Sequence, residues 1–249
     1  MPEAKYNNLT SASYYLSTSF SLCEVDGALV VLNHSTRRYS SLPRQYAEAL
    51  SLASEEWNAG RTPIELESHS YSEARRHLEQ LLHTGLVTRD ASSGKPIRRI
   101  PATAKDAIDF GWGDEELEPV RLSHCLLLVV AVARAVLKLK CIPFERLLKD
   151  TMNRRSRLGA TRDGTELARA ERLARIFRNA RVLAYSSHEE CLFDSLVLVE
   201  FFALHSMYPH WFIGVKSKPF RAHSWVQYEH CVLNGTVEHV EQFTPIHIA

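Results

Sequence analysis

Cysteine is scarce. The 249-residue chain has five, at positions 23, 125, 141, 191 and 231, odd in number, widely spaced and without a CxxC pair. That pattern argues against a zinc ribbon and a thioredoxin-type motif. It also suits a reducing compartment, where any single thiol is free for chemistry. Charge of one sign is lacking too: 30 Lys and Arg against 29 Asp and Glu leave +1, so the whole chain carries no polyanion-binding signature. Glycine and proline number ten each in a chain that is 45% apolar, which excludes collagen, low-complexity scaffolds and a disordered tail. The longest apolar run, Cys125–Ala133, is nine residues, whereas a membrane-spanning helix needs about 20. Residues 1–13 contain no apolar core of a signal peptide, and no GxxxxGK[ST] nucleotide loop occurs. The expectation is a soluble, cytoplasmic protein of one large or two small domains, with no membrane, metal or cofactor.

What is there begins with a small antiparallel sheet. Ser19–Val25 alternates with period two, Asp26-Gly27 is a tight-turn signal, and Ala28–Leu32 follows as a strand. A turn at Asn33–Thr36 leads to a third strand, Arg37–Leu42. Pro43 then opens a helix from Gln45 to about Asn58, with Tyr46, Ala49, Leu50 and Ala53 on one face. Gly60–Pro63 breaks it. Ser70 or Ser72 caps a second helix, Glu73–Thr84, with Leu78, Leu81 and Leu82 apolar and Gly85 as the stop. Leu86–Thr88 is a short strand and Ser92–Pro96 a loop. Three strands, two helices and a strand make a winged-helix-like layout. Three readings stay open: DNA binding, for which Arg75 and Arg76 are offset by Glu73 and Glu79; peptide capture by the third strand as a free edge over the last helix; and a purely structural module.

In the middle, Asp106–Glu118 is acidic and reads as a linker. Pro119–Lys140 is a strongly apolar helix, with Leu122, Leu126, Val129, Val130, Ala133, Val136 and Leu137 at helical spacing; it is expected as core, with Cys125 and Cys141 in its packing. Lys149–Arg181 has ten Lys or Arg and four Asp or Glu, +6, and sets an apolar stripe (Leu167, Ala170, Leu173, Ala174, Phe177) beside arginines at 169, 172, 175, 178 and 181. That row is a solvated helix face or a basic surface for an acidic partner.

The C-terminal third carries the chemistry. Ser186–Glu190 looks like a helix start with acids in the first turn, and Cys191 follows it. The helix runs to about Leu204, then strands at His210–Val215, Ala222–Tyr228 and Cys231–Asn234, with Lys218-Pro219 in a turn. A thiol at a helix start lies where free N–H groups and the macrodipole favour thiolate. A histidine on a strand packed against that helix can act as its base. Cys on a helix and then His on a strand is the order of the papain and transglutaminase-like thiol enzymes.

The runs Cys191-Leu-Phe-Asp-Ser195, Phe212-Ile-Gly-Val-Lys216 and Lys218-Pro-Phe-Arg-Ala-His-Ser-Trp-Val226, closing on Phe243-Thr-Pro-Ile246, resemble the lasso-peptide B protein family. The N-terminal layout also resembles that family's fused leader-recognition domain. The resemblance implies an α+β protein in which a winged-helix-like leader-recognition domain, residues 1–100, is fused to a papain/transglutaminase-like cysteine protease domain, residues 101–249. It implies a leader peptidase acting on a ribosomally made precursor peptide, with an asparagine-synthetase-like macrolactam cyclase as partner. Cys191 matches the nucleophile and His223 the base. The alternatives are a non-catalytic leader-binding adaptor and, more weakly, a DNA-binding winged helix.

The third catalytic member departs from the family. Family members place an Asp twelve residues after the His, following an Asn; here Asn234 is followed by Gly235. If Glu229-His230 is a two-residue hairpin turn, Trp225 lies opposite Asn234 and His223 opposite Thr236, so Asn234 shares the His223 face. Its carbonyl oxygen could then orient the imidazole; Glu238 is a second candidate. By strand alternation Trp225 lies on the His223 face, as a wall of the site or as core. The leader is expected along Arg37–Leu42, contacting Arg38, Tyr39 and Leu42 and pressing on Leu78 and Leu82. Cys23 and Cys231 are expected in packing.

Overall fold

The computed structural model describes residues 14–58, 68–108, 118–157, 164–182 and 191–249, and the chain divides into two units, Met1–Ile100 and Pro101–Ala249. In the first unit, β1 (Tyr15–Ser17) precedes a meander of β2 (Phe20–Val25), β3 (Ala28–Asn33) and β4 (Arg38–Leu42), in the order β2-β3-β4. The first hairpin forms because Asp26 and Gly27 both take positive φ, 47° and 76°, the backbone of a two-residue turn that matches strand twist. The second turn is held by Asn33, whose Oδ1 accepts from the Ser35 and Thr36 N–H groups at 2.9 and 3.1 Å. β2 and β3 are mostly buried, while β4 is the outer strand and largely exposed.

Helix α1 (Arg44–Ala53) follows Pro43 and stops at Ser54; α2 (Glu55–Asn58) is a separate turn. The single expected helix breaks there because Ser54 Oγ donates to the Ile97 carbonyl at 2.6 Å and accepts from the Trp57 N–H. Gly60–Pro63 lies outside the described residues. Helix α3 spans Ser68–His83, so Ser72 is inside it rather than its cap. Gly85 ends it at φ 72°, with Leu86 N–H reaching back to the Leu81 carbonyl. β5 (Val87–Thr88) and β6 (Gly94–Lys95) flank β1 in a second small sheet, so the expected loop 92–96 contains a strand. Leu29, Leu50, Trp57, Leu78 and Leu81 form the centre of this unit's core, each contributing on the order of 2 kcal/mol by burial.

The second unit has a five-stranded sheet in the order β11-β8-β9-β10-β7. Its strands are β7 (Asp106–Ala107), β8 (His210–Ser217), β9 (Phe220–Tyr228), β10 (Cys231–Val232) and β11 (Thr244–Ile248). The expected linker 106–118 therefore starts as an edge strand, parallel to β10. The helices are α4 (Leu122–Cys141), α5 (Phe144–Arg157), α6 (Gly164–Arg181), α7 (Cys191–Leu204) and the one-turn α8 (Val237–Val240). Helix α7 is the axis of the unit, buried from Asp194 to Phe202. Its Glu200, 1% exposed, pairs with Lys138 of α4 and, at 3.1 Å, with Arg154 of α5.

The expected core face of α4 is the wrong one. Leu122, Leu126, Val129 and Leu137 are at least 60% exposed, with Val130 and Ala133 also exposed, while Leu128, Ala131 and Ala135 are buried. The helix is apolar all round, so periodicity alone cannot choose a side. The small alanines let α4 approach α7 closely, and packing takes that face. Cys141 is correspondingly exposed and Cys125 half-buried, whereas Cys23 and Cys231 are buried. The apolar character continues past Arg134: the helix has a stretch of mean hydropathy 2.0, and by length and composition it is long and apolar enough to cross a membrane. The nine-residue run understated this, although a single helix of this kind also occurs in the interior of globular domains. The arginine row of α6 is put to use: Arg169 donates to the His205 carbonyl, Arg172 pairs with Glu118, and Arg181 pairs with Asp194.

Candidate active site

Cys191 is the first residue of α7 and half-buried; the expected helix start at 186–190 lies outside the described residues. The first turn of an α-helix has N–H groups without intrahelical partners. Residues three and four positions on share a face with the first, and here these are Asp194 and Ser195. Asp194, buried, accepts from Arg181 Nη1 at 2.8 Å. Ser195, fully buried, donates through Oγ to the Ser224 carbonyl at 2.9 Å and accepts from Asn234 Nδ2 at 3.1 Å. Ser224 is the strand neighbour of His223. The face of α7 below Cys191 is thus clamped to β9 next to His223, and its Asp194 carboxylate is neutralised by a guanidinium.

The two clamping partners, Arg181 and Asn234, also line a cleft of about 720 Å³ with Lys105, Ile108, Arg178 and Thr236. Neither Cys191 nor His223 is among the residues that line it. The two buried thiols differ in kind. Burial pushes Cys23 up to about 12 and Cys231 up to about 11, so both stay protonated packing groups.

His223 lies opposite Gly214 on β8. Its ring is stacked on Trp225 (13° between planes, 6.0 Å between centroids), tilted against Phe243 at 5.1 Å and perpendicular to His239 at 4.6 Å. Burial, then the neighbouring His239 and Lys216, lower its pKa to about 4. The imidazole is therefore neutral near pH 7, the form that accepts a proton. Its Nε2 is buried and has no hydrogen-bond partner among the described protein atoms. Gly214 makes the stack possible: a Cβ there would lie 2.8 Å from the Trp225 ring.

The remaining expected site residues fall into place less simply. The Glu229-His230 hairpin has the expected register, pairing Cys231 with Tyr228 and Val232 with Gln227. Asn234, however, is not bonded to His223. Its Oδ1 accepts from the Val226 N–H at 2.8 Å and its Nδ2 goes to Ser195; the strand ends at Val232 and the asparagine side chain continues the ladder. Trp225 is 3% exposed, so it supports His223 from within and does not contact a peptide. Glu238 lines the cleft on α8, its carboxyl held low by its own backbone N–H and the Thr236 hydroxyl. Gly235 also lines the cleft, and a Cβ there would meet only ordinary contacts at 3.7 Å and beyond.

In the first unit, Arg38, Tyr39 and Leu42 are on the outer strand β4, Arg38 exposed and Tyr39 and Leu42 half-buried. Leu78 is 1% exposed and belongs to the core, not to a groove floor. Leu82 lines a cleft with Ser17, Val87 and Arg89, on the side of β1 and β5 rather than beside β4. Sequence reasoning missed Arg181, Ser195 and His239. Ser195 was visible as the i+4 partner of Cys191; nothing in the pattern pointed to His239.

The model of the Transglutaminase-like superfamily matches residues 129–247, a stretch that contains Cys191, His223 and the Ser195 hydrogen bonds to Ser224 and Asn234. Residues 129–247 are similar to that superfamily's domain. No curated protein and no solved structure gives a match.

Proposed function

We propose that the protein is a thiol peptidase that removes the leader from a ribosomally made precursor peptide of the lasso class. The observation that carries the thiol reading is the clamp: the helix that begins at Cys191 is tied through Ser195 to the strand position next to His223, a neutral imidazole. The superfamily match supports it, and the motif resemblance supports the narrower lasso reading. Cys191 Sγ attacks the scissile carbonyl as His223 takes the thiol proton. His223 returns the proton to the leaving amine, and water hydrolyses the thioester to release the leader carboxylate and regenerate the thiol. The Cys191 N–H is one oxyanion donor. Arg38, Tyr39 and Leu42 on the outer strand β4 offer the edge to which a leader would add as a further strand. The freed core peptide would pass to an asparagine-synthetase-like cyclase.

The test is full-length protein with synthetic precursor, with Cys191→Ala and Cys191→Ser alongside. Both variants should lose cleavage while still binding the precursor; undiminished cleavage by Cys191→Ala sinks the reading. A non-catalytic leader-binding adaptor is the second reading. It is favoured by Asn234 being committed to Val226 and Ser195 and by the absence of a carboxylate at Gly235. Tight precursor binding without turnover, even with the cyclase present, is its signature.

A further inference from the structure

We propose that His239 is a positioning residue for His223: its imidazole, edge-on to the His223 ring, fixes that ring and through its own charge governs when His223 accepts a proton. This rests on the reading of Cys191 and His223 as the reacting pair. Three observations converge. The rings are perpendicular with centroids 4.6 Å apart, the shortest of the three ring contacts His223 makes to Trp225, Phe243 and His239.

Helix α8 holds the residue in place. Its Thr236 hydroxyl accepts the His239 N–H at 3.3 Å, while the next residue, Val240, is buried and anchors the turn. The two histidines also differ in access. His239 is exposed, whereas His223 is half-buried with Nε2 shielded from solvent. A positive charge on His239 disfavours a proton on His223.

The other ionisable groups around His223 do not replace this contact. Lys216 of β8 is bonded to Gln242 Oε1 and lies over the Phe243 ring. Arg221 is two residues back on the same strand and exposed, Glu238 is exposed at the start of α8, and Cys191 and Asp194 belong to α7, where Asp194 is paired with Arg181. Asn234, the group expected to orient the imidazole, is committed elsewhere. A cationic neighbour keeps His223 in its proton-accepting form to lower pH and so extends the acidic range of the enzyme.

The test uses the intact protein with His239→Gln, which removes the charge, and His239→Phe, which keeps a ring but no ionisable nitrogen. Two readouts are taken: the NMR titration of the His223 imidazole, which needs no turnover, and the pH profile of kcat/KM on precursor. Both variants should raise the His223 midpoint and the acidic limb by about 0.7 pH unit, the interaction of two unit charges 4.6 Å apart in a water-like dielectric. Plateau kcat should fall several-fold in His239→Gln as the ring loosens, and by less in His239→Phe, where a ring still packs on His223. A His223 midpoint unmoved in both variants overturns the proposal. Failure of the underlying thiol reading shows separately, as cleavage indifferent to Cys191→Ala.

Discussion

Replacing Ser195 by Ala cuts the clamp that brings helix and strand together, and its cost follows from the geometry. The hydroxyl is fully buried and makes two neutral hydrogen bonds, to the Ser224 carbonyl at 2.9 Å and from Asn234 Nδ2 at 3.1 Å. Each contributes about 1 kcal/mol net, and a buried group left without a partner adds about 1–3 kcal/mol. Ser224 is 2% exposed, but its carbonyl keeps its place in the strand, and half-buried Asn234 can turn its amide to water. The expected loss is about 2–3 kcal/mol. Asn234→Ala should lose a similar amount, because the Val226 N–H, on a residue 0% exposed, is then unpaired. The double variant should show a coupling of about 1 kcal/mol, since the two side chains share one bond. Hydrogen exchange of α7 and β9 amides in increasing urea reads these energies for the second unit alone. Cleavage should fall on the order of 10²-fold in Ser195→Ala even where the protein is folded, since small displacements of a reacting group cost that much. A loss below about 0.5 kcal/mol with no coupling would refute the clamp.

Other perturbations bear on separate parts of the molecule. Gly214→Ala places a methyl 2.8 Å from the Trp225 ring and 3.0 Å from Phe243 Cβ; it should cost about 1–3 kcal/mol by overpacking and disturb His223, checked by thermal unfolding and by the His223 NMR signal. Glu200→Ala leaves Lys138 and Arg154 without their shared buried carboxylate and should cost about 3–5 kcal/mol. Lys138→Met with Glu200→Leu should lose less, and equal losses in urea unfolding would contradict the account. His34 has its pKa lowered to about 4, first by burial and then by Lys95, against about 6.5 unfolded. The unfolded chain therefore binds the extra proton, so stability is full above pH 6.5 and is lost as pH falls from there towards 4, at up to about 1.4 kcal/mol per pH unit. Unfolding of the first unit at pH 7, 6 and 5 should show that slope, reduced by one proton in His34→Gln; a flat profile would disprove it.

The elements legible in the sequence are those fixed by local chemistry. Asp26-Gly27 demands a tight turn with positive φ, so β2 and β3 had to pair in one register. Gly85 had to end α3, and the register assumed for a Glu229-His230 turn is the one β9 and β10 adopt. The helix that starts at Cys191 follows from its apolar run, and the order of thiol and histidine was readable because both lie in short distinctive runs.

What tertiary structure decided are choices among locally equivalent options. Helix α4 offered two apolar faces, and close packing on α7 took the one with Ala131 and Ala135. Asn234 lies two residues past the end of β10 and is not bonded to His223. Its amide answers the Val226 N–H and Ser195 because β10 ends two residues earlier and the ladder needed a substitute. His239 is sixteen positions from His223 and meets it only because the β9–β10 hairpin and the turn of α8 fold the chain back on itself, a closure that no periodicity encodes. The sequence alone singled out Cys191 and His223 as candidates and determined which local turns form. Which of those residues touch was settled by packing, because side-chain partners depend on distances set by elements far apart along the chain.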